Sequence, residues 1–193
     1  GEVAATLWAN ITFRHLLLCY SVMAFFSYGI AKWQPTFFIR SHGLQTGELG
    51  TWFAVIYGLG GLLGTYYGGE WASRYAARDE RRQLQAVALL YSGFGVVKAL
   101  SYLAPNHYLA FALLAIATVM GFLCTGPLFA TLQTLVPERM RASAIAILYL
   151  FANLIGMGIG PLAAGMLSDA LAPSAGAQSL RYSLLILCPA CLW

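Results

Sequence analysis

Two lysines sit where a charged side chain is expensive. Lys32 lies inside the apolar run 16–38 and Lys98 inside the run 83–104. An ionisable group at such a position costs about 3 kcal/mol on insertion scales, so it is a candidate for ligand contact. Tyr28 precedes Lys32 by four residues and shares its helical face. Gln34 follows, with Pro35, which removes a backbone hydrogen bond and can break a helix beside a site. Tyr149 and Asn153 are likewise four apart in a later run. Lys32, Tyr28, Gln34, Tyr149 and Asn153 are the candidate solute-binding residues, and Lys32 favours an anionic or amphiphilic partner. Lys98 is expected to snorkel its ammonium to the outer membrane interface, a reading equally open for Lys32.

The acids inform by their placement. Glu48, Glu70, Asp79, Glu80, Glu138 and Asp169 stand at the ends of apolar runs or between them. None reads as a proton carrier within a run. The histidines His15, His42 and His107 also fall at run ends, which argues against haem ligation and against an intramembrane protease pairing a serine with a histidine. No metal-ligand spacing appears, and no cofactor is implied. Cys188-Pro-Ala-Cys191 has the spacing of a redox motif, but it lies in an apolar run without the alternating strands and helices that accompany that chemistry. The sequence therefore reads as no enzyme.

The elements that must hold these residues are helices that cross a bilayer. The chain is 60% hydrophobic and 9% charged, against roughly 25% charged in a soluble domain. The net charge of +4 is too dispersed for a nucleic-acid footprint. A helix crosses hydrocarbon with about 20 apolar residues. Runs at about 16–38, 49–71, 83–104, 108–134 and 142–167 meet that length. A sixth begins near Leu180 and has fourteen residues before Trp193, about 21 Å at 1.5 Å per residue and too short to cross. With a start at Gly-Glu-Val and no initiator Met, the sequence reads as a fragment whose last helix is truncated.

Charge orients the spans. With the start of the chain inside, inner segments hold Arg14, Arg74, Arg78, Arg81, Arg82, Arg139 and Arg141, and outer segments hold only Arg40 and Arg181. Loops 73–82 and 135–141 are then cytoplasmic, and the protein is expected to be a multi-pass component of the plasma or inner membrane. Small residues recur every four positions in the second and fifth spans, at Gly60, Gly64 and Gly68 and at Ala152, Gly156, Gly160 and Ala164. Such faces let two backbones approach closely, either as a static seam or as one along which helices rock. They occupy the second member of each of two triplets, whose odd number of spans gives them opposite orientations, as in an inverted repeat.

At this point residues 69–78, GEWASRYAAR, resemble the inner-loop motif G-x-L-A-D-R-x-G-R-R of the major facilitator superfamily. Gly69, Ala72, Arg74 and Arg78 agree. Trp71 replaces Leu, Ser73 replaces the acid, and Ala76 and Ala77 replace Gly and Arg, which puts any charge-relay role in doubt. Residues 33–43, WQPTFFIRSHG, resemble the spinster-like branch of that superfamily. So do residues 136–142, VPERMRA, with 153–161, NLIGMGIGP, and 165–169, GMLSD.

The resemblance covers the chain from about residue 12 onward. It implies an all-α integral membrane fold: the C-terminal six-helix half of a transporter, made of two inverted three-helix repeats. Residues 1–12 would end the linker between halves and 13–193 would form the helix bundle, with the N-terminal six-helix half as its missing partner. Gly69, Arg74 and Arg78 would act in the conformational cycle, and Gly60, Gly64, Gly68, Gly156, Gly160 and Pro161 in helix packing. The implied function is secondary active transport of a small organic or amphiphilic solute, lysolipid-like in character, by alternating access. The alternative is a non-transporting membrane scaffold or receptor on the same fold.

Overall fold

A computed structural model describes residues 7–75, 80–134 and 137–189. Seven α-helices account for nearly all of them: α1 (Ile11–His42), α2 (Thr46–Tyr75), α3 (Glu80–Leu103), α4 (His107–Leu123), α5 (Thr125–Thr134), α6 (Arg141–Ala175) and α7 (Ser179–Leu187). Five helical segments are long and apolar enough to cross a membrane by length and composition. Their outward faces suit lipid: Leu62, Leu89, Leu154 and Met166 are 67%, 76%, 65% and 63% exposed.

The ends of α1 are set by local chemistry. The Asn10 side chain accepts hydrogen bonds from the backbone N–H groups of Thr12 and Phe13, at 3.0 and 3.2 Å. At the other end Gly43 takes φ +67°, and its N–H donates to the Ile39 carbonyl at 3.1 Å. Pro35 does not break α1, which runs through it to His42. The deeply buried Phe37 and Phe38 anchor the helix beyond the proline. Pro35 still leaves the Ala31 carbonyl without its usual helical donor.

The fourth span, expected as one helix over 108–134, is two. The chain turns at Cys124 between α4 and α5. Pro127 has no N–H to give the Leu123 carbonyl, and its ring crowds that carbonyl. The Leu123 carbonyl lies instead against Gly68, where a Cβ would collide with it. A Cβ on Gly126 would meet the Gly68 carbonyl group at 2.9 Å, so this crossing accepts glycine on both helices.

Packing follows an exchange between the two triplets. The first helix of the first triplet, α1, packs mainly on α6, the second span of the other. The first span of the second triplet, α4, packs on both α2 and α3. The α1–α6 and α2–α4 contacts run along the small residues. A Cβ on Gly64 would meet the Val119 carbonyl oxygen at 2.6 Å, and one on Gly156 would meet the Ala24 carbonyl oxygen at 2.9 Å. Gly60 faces the Thr118 side chain, and Gly160 faces the Phe25 carbonyl and Gly29. Gly158 on the same helix has nothing within 4 Å. The Pro161 carbonyl, next along α6, accepts a hydrogen bond from the Trp33 indole at 2.8 Å.

An aromatic cluster ties the helices together where α1 ends. Phe38 contacts Phe53 of α2 and Phe111 of α4, with ring centroids 5.8 and 4.9 Å apart. Phe37 meets Tyr102 of α3 at 5.1 Å, and the Arg181 guanidinium of α7 lies 5.6 Å from the Phe37 ring. A smaller apolar cluster, including Phe13, Leu17, Met140 and Leu148, holds the opposite ends of α1 and α6.

Candidate functional site

Helices α1 to α5 line an open, mostly apolar cavity of about 270 Å³ that carries a few polar side chains. α1 contributes Ser27, Tyr28 and Ala31, and α2 contributes Tyr57. α3 contributes Tyr91, Phe94 and Lys98, and α4 includes Thr118. A second cavity of about 180 Å³ shares Ser27, Tyr28 and Tyr91 with the first and continues to Tyr20 and Tyr149. The two lie side by side along α1 and share those three residues. The Ala31 carbonyl, left without a helical donor by Pro35, belongs to a residue of this lining.

The candidate residues read from sequence divide in two. Tyr28, Asn153 and Tyr149 come together where α1 crosses α6. The Tyr28 hydroxyl donates to Asn153 Oδ1 at 3.3 Å, and Asn153 Nδ2 donates to the Tyr149 carbonyl at 2.8 Å. The Tyr149 ring also packs on Tyr20 and Phe129, with centroids 6.3 and 5.7 Å away. Gln34 is wholly buried, and its Oε1 accepts from the Tyr57 hydroxyl at 3.1 Å. Its Nε2 has no hydrogen-bond partner among the described residues, an uncommon state for a buried donor.

Lys32 stands apart from this group, on an exposed face of α1 roughly opposite Gln34. Lys98 departs from its expected snorkelling. It is 7% exposed, lines the 270 Å³ cavity, and holds Nζ 5.1 Å from the centroid of the Phe94 ring. The physical reason is the face it occupies. Tyr91, Phe94, Lys98 and Tyr102 recur at helical spacing, so the lysine stem follows an aromatic face that packs inward. Depth alone does not reveal a face. The spacing of these aromatic residues was the available signal for Lys98, and for Tyr91 with it. Tyr57 had no comparable marker.

The inner-loop motif is described only in part. Gly69 has open space where a Cβ would stand. Arg74 pairs with Glu70 one turn earlier, with Nε 2.6 Å from Oε1, on an exposed surface. Such a pair contributes about 0.3–0.5 kcal/mol. Ser73, in the acid's place, caps the Glu70 carbonyl at 2.8 Å. Arg78 lies outside the described residues.

Residues 3–161 match the Major Facilitator Superfamily. The chain is 32% identical over 189 residues to an MFS-type efflux pump of Mycolicibacterium smegmatis (strain ATCC 700084 / mc(2)155), an alignment covering 96% of this chain and 44% of the pump. Its fold matches a bacterial homolog of the human lysosomal transporter Spinster. The TM-score is 0.82 against the inward-facing occupied form, at 23% identity, covering 97% of this chain and 48% of that one. Against the inward-facing unoccupied form it is 0.84, at 22% identity, covering 99% and 47%. The chain thus spans about half the length of the proteins it matches.

Proposed function

The chain belongs to the Major Facilitator Superfamily, and from that premise we propose that it forms one six-helix half of a secondary transporter working by alternating access. Its solute is a small organic or amphiphilic molecule. The observation that carries this reading is the cavity lined by α1 to α5. A lysine and a set of hydroxyls line an open space inside a bundle whose outside is leucine-rich. Hydrocarbon-facing bundles keep polar groups for pathways and sites, because lipid gives those groups no partner.

In this reading residues 1–12 end a linker, 13–193 make the bundle, and a second six-helix half completes the path. The cytoplasmic side is that of loops 73–82 and 135–141. The small-residue seams on α2 and α6 allow the helix pairs to move against each other, and Gly69, Arg74 and Arg78 bias one state. The efflux-pump relative supports outward movement, and the resemblance of residues 33–43 and 136–142 to the spinster-like branch implies an amphiphilic, lysolipid-like solute. Lys32, Tyr28, Gln34, Tyr149 and Asn153 contribute to the path. Lys32 does so from the face of α1 that the described helices leave uncovered.

The test is flux by the full-length protein in sealed vesicles. Lys32→Ala is expected to lower flux about tenfold, the loss of about 1.4 kcal/mol of solute interaction, at unchanged expression. Unaltered flux removes Lys32 from the path. Robust expression with no flux of any organic solute favours a scaffold role.

A further inference from the structure

Three residues that line the 270 Å³ cavity have hydroxyls already committed as donors to the protein. The Tyr28 hydroxyl donates to Asn153 Oδ1 at 3.3 Å. Asn153 Nδ2 donates to the Tyr149 carbonyl at 2.8 Å, which fixes the oxygen end of that amide toward Tyr28. The Tyr57 hydroxyl donates to Gln34 Oε1 at 3.1 Å. Thr118 Oγ1 donates to the Leu114 carbonyl at 2.8 Å, and a carbonyl can only accept. A hydroxyl has one proton and also lone pairs, so each of these oxygens keeps acceptor capacity with no proton left to offer. Donating to a protein acceptor also polarises the oxygen and strengthens it as an acceptor. The Ala31 carbonyl, without its usual helical donor because of Pro35, adds a fourth acceptor to the lining.

Among the described residues no Asp or Glu lines this cavity. It therefore holds no carboxylate to balance an ammonium in low dielectric. A neutral O–H or N–H is the group that such acceptors satisfy. The rest of the lining is mostly apolar, and Tyr91 and Phe94 add ring surface for a flat body.

We infer that this cavity selects neutral ring compounds by a hydrogen-bond donor, an O–H or N–H received by the hydroxyl oxygens of Tyr28, Tyr57 and Thr118. Resting on the transporter reading above, this narrows the solute from small organic molecules at large to neutral donors. Asn153 and Gln34 are positioning residues in it, each holding a tyrosine proton away from the ligand.

The probes are two matched pairs, 2-naphthol with 2-methoxynaphthalene and indole with N-methylindole. Within each pair the ring system is the same and methylation removes the donor. They are applied to purified full-length protein whose native cysteines are replaced and which carries Ser27→Cys. Cavity occupancy is read as slowed labelling of that thiol by a maleimide. 2-Naphthol and indole are expected to protect it at about fivefold lower concentration than their methylated partners, the ordinary worth of one hydrogen bond. Charged analogues of the same ring, 2-naphthoate and 2-naphthylmethylammonium, should protect less well than 2-naphthol. The triple variant Tyr28→Phe, Tyr57→Phe, Thr118→Val should narrow the gap within each pair, with a monodisperse elution profile to check folding. Asn153→Leu frees the Tyr28 proton, so 2-methoxynaphthalene should gain protection there, a change that a purely steric effect of the methyl group does not produce.

Equal protection within both pairs overturns the inference, as does stronger protection by the methylated members or by either charged analogue. An unchanged gap in the folded triple variant overturns it too, as does a 2-methoxynaphthalene that gains nothing in folded Asn153→Leu. A Ser27→Cys thiol that labels but that no probe protects also overturns it, while leaving the transporter reading intact. A thiol that no reagent reaches from either side of sealed vesicles defeats the transporter reading itself.

Discussion

Gly160→Leu should prevent the full-length protein from accumulating as a folded, monodisperse species. The smaller change Gly160→Ala should lower its thermal midpoint measurably. At Gly160 a Cβ would press on the Phe25 carbonyl and stand 3.1 Å from the Gly29 backbone nitrogen. Both obstacles are main chain of α1, which cannot rotate aside as a flexible side chain can. Overpacking in a well-filled core typically costs about 1–3 kcal/mol. A whole leucine placed against backbone belongs at or above the top of that range. The same helix supplies the control. Gly158 has nothing within 4 Å, and Ala is the better helix former by about 1 kcal/mol, so Gly158→Ala should be neutral or mildly stabilising. Thermal midpoints from size-exclusion of heated samples read all three variants. Equal tolerance at 158 and 160 would mean that α1 and α6 do not approach here as the structure has them.

The second large effect concerns Gln34, and it separates stability from transport. Its side chain is wholly buried and Nε2 has no partner among the described residues, which costs about 1–3 kcal/mol of desolvation. Gln34→Leu removes that unpaired donor while keeping an apolar side chain of similar size. The Tyr57 hydroxyl loses its acceptor, but Tyr57 lines the cavity, where that hydroxyl can find water or ligand. The thermal midpoint should therefore hold or rise, while flux falls about tenfold or more. A natural sequence that keeps a costly buried amide beside a cavity is expected to gain function from it. A variant that is both stable and fully active would assign Gln34 to packing alone.

The spans were legible in the sequence because hydrocarbon demands length and apolarity together, and residues 16–38 or 142–167 satisfy both without ambiguity. The crossings of α2 with α4 and of α1 with α6 follow the four-residue glycine spacing, a pattern with few other uses. The break at Cys124 was carried by Thr-Gly-Pro at 125–127 but was overridden by the length of the surrounding apolar run. Pro35 produced the opposite outcome, since α1 continues through it to His42.

The site was legible only in part. Tyr28 and Asn153 meet, yet their partnership joins residues 125 positions apart and depends on how α1 crosses α6. Helical periodicity on one span cannot supply that crossing. The lysines show the limit more sharply. Lys32 and Lys98 lie at similar distances from the ends of their apolar runs, 16–38 and 83–104, so depth does not separate them. What distinguishes them is rotation about the helix axis. Lys98 lies on the face shared by Tyr91, Phe94 and Tyr102, which packs inward, whereas Lys32 faces away from buried Gln34.

The central claim is that a solute path runs through the cavity beside α1. Ser27 lines both cavities, so a cysteine there tests the claim without knowledge of the solute. In full-length protein whose native cysteines are replaced, a membrane-impermeant thiol reagent is applied separately from each side of sealed vesicles. Alternating access predicts labelling of Ser27→Cys from both sides. A cysteine at Leu154, exposed on α6, should resist both if its face meets lipid. Folded protein in which Ser27→Cys is reached from neither side, or always from one side alone, would contradict the account.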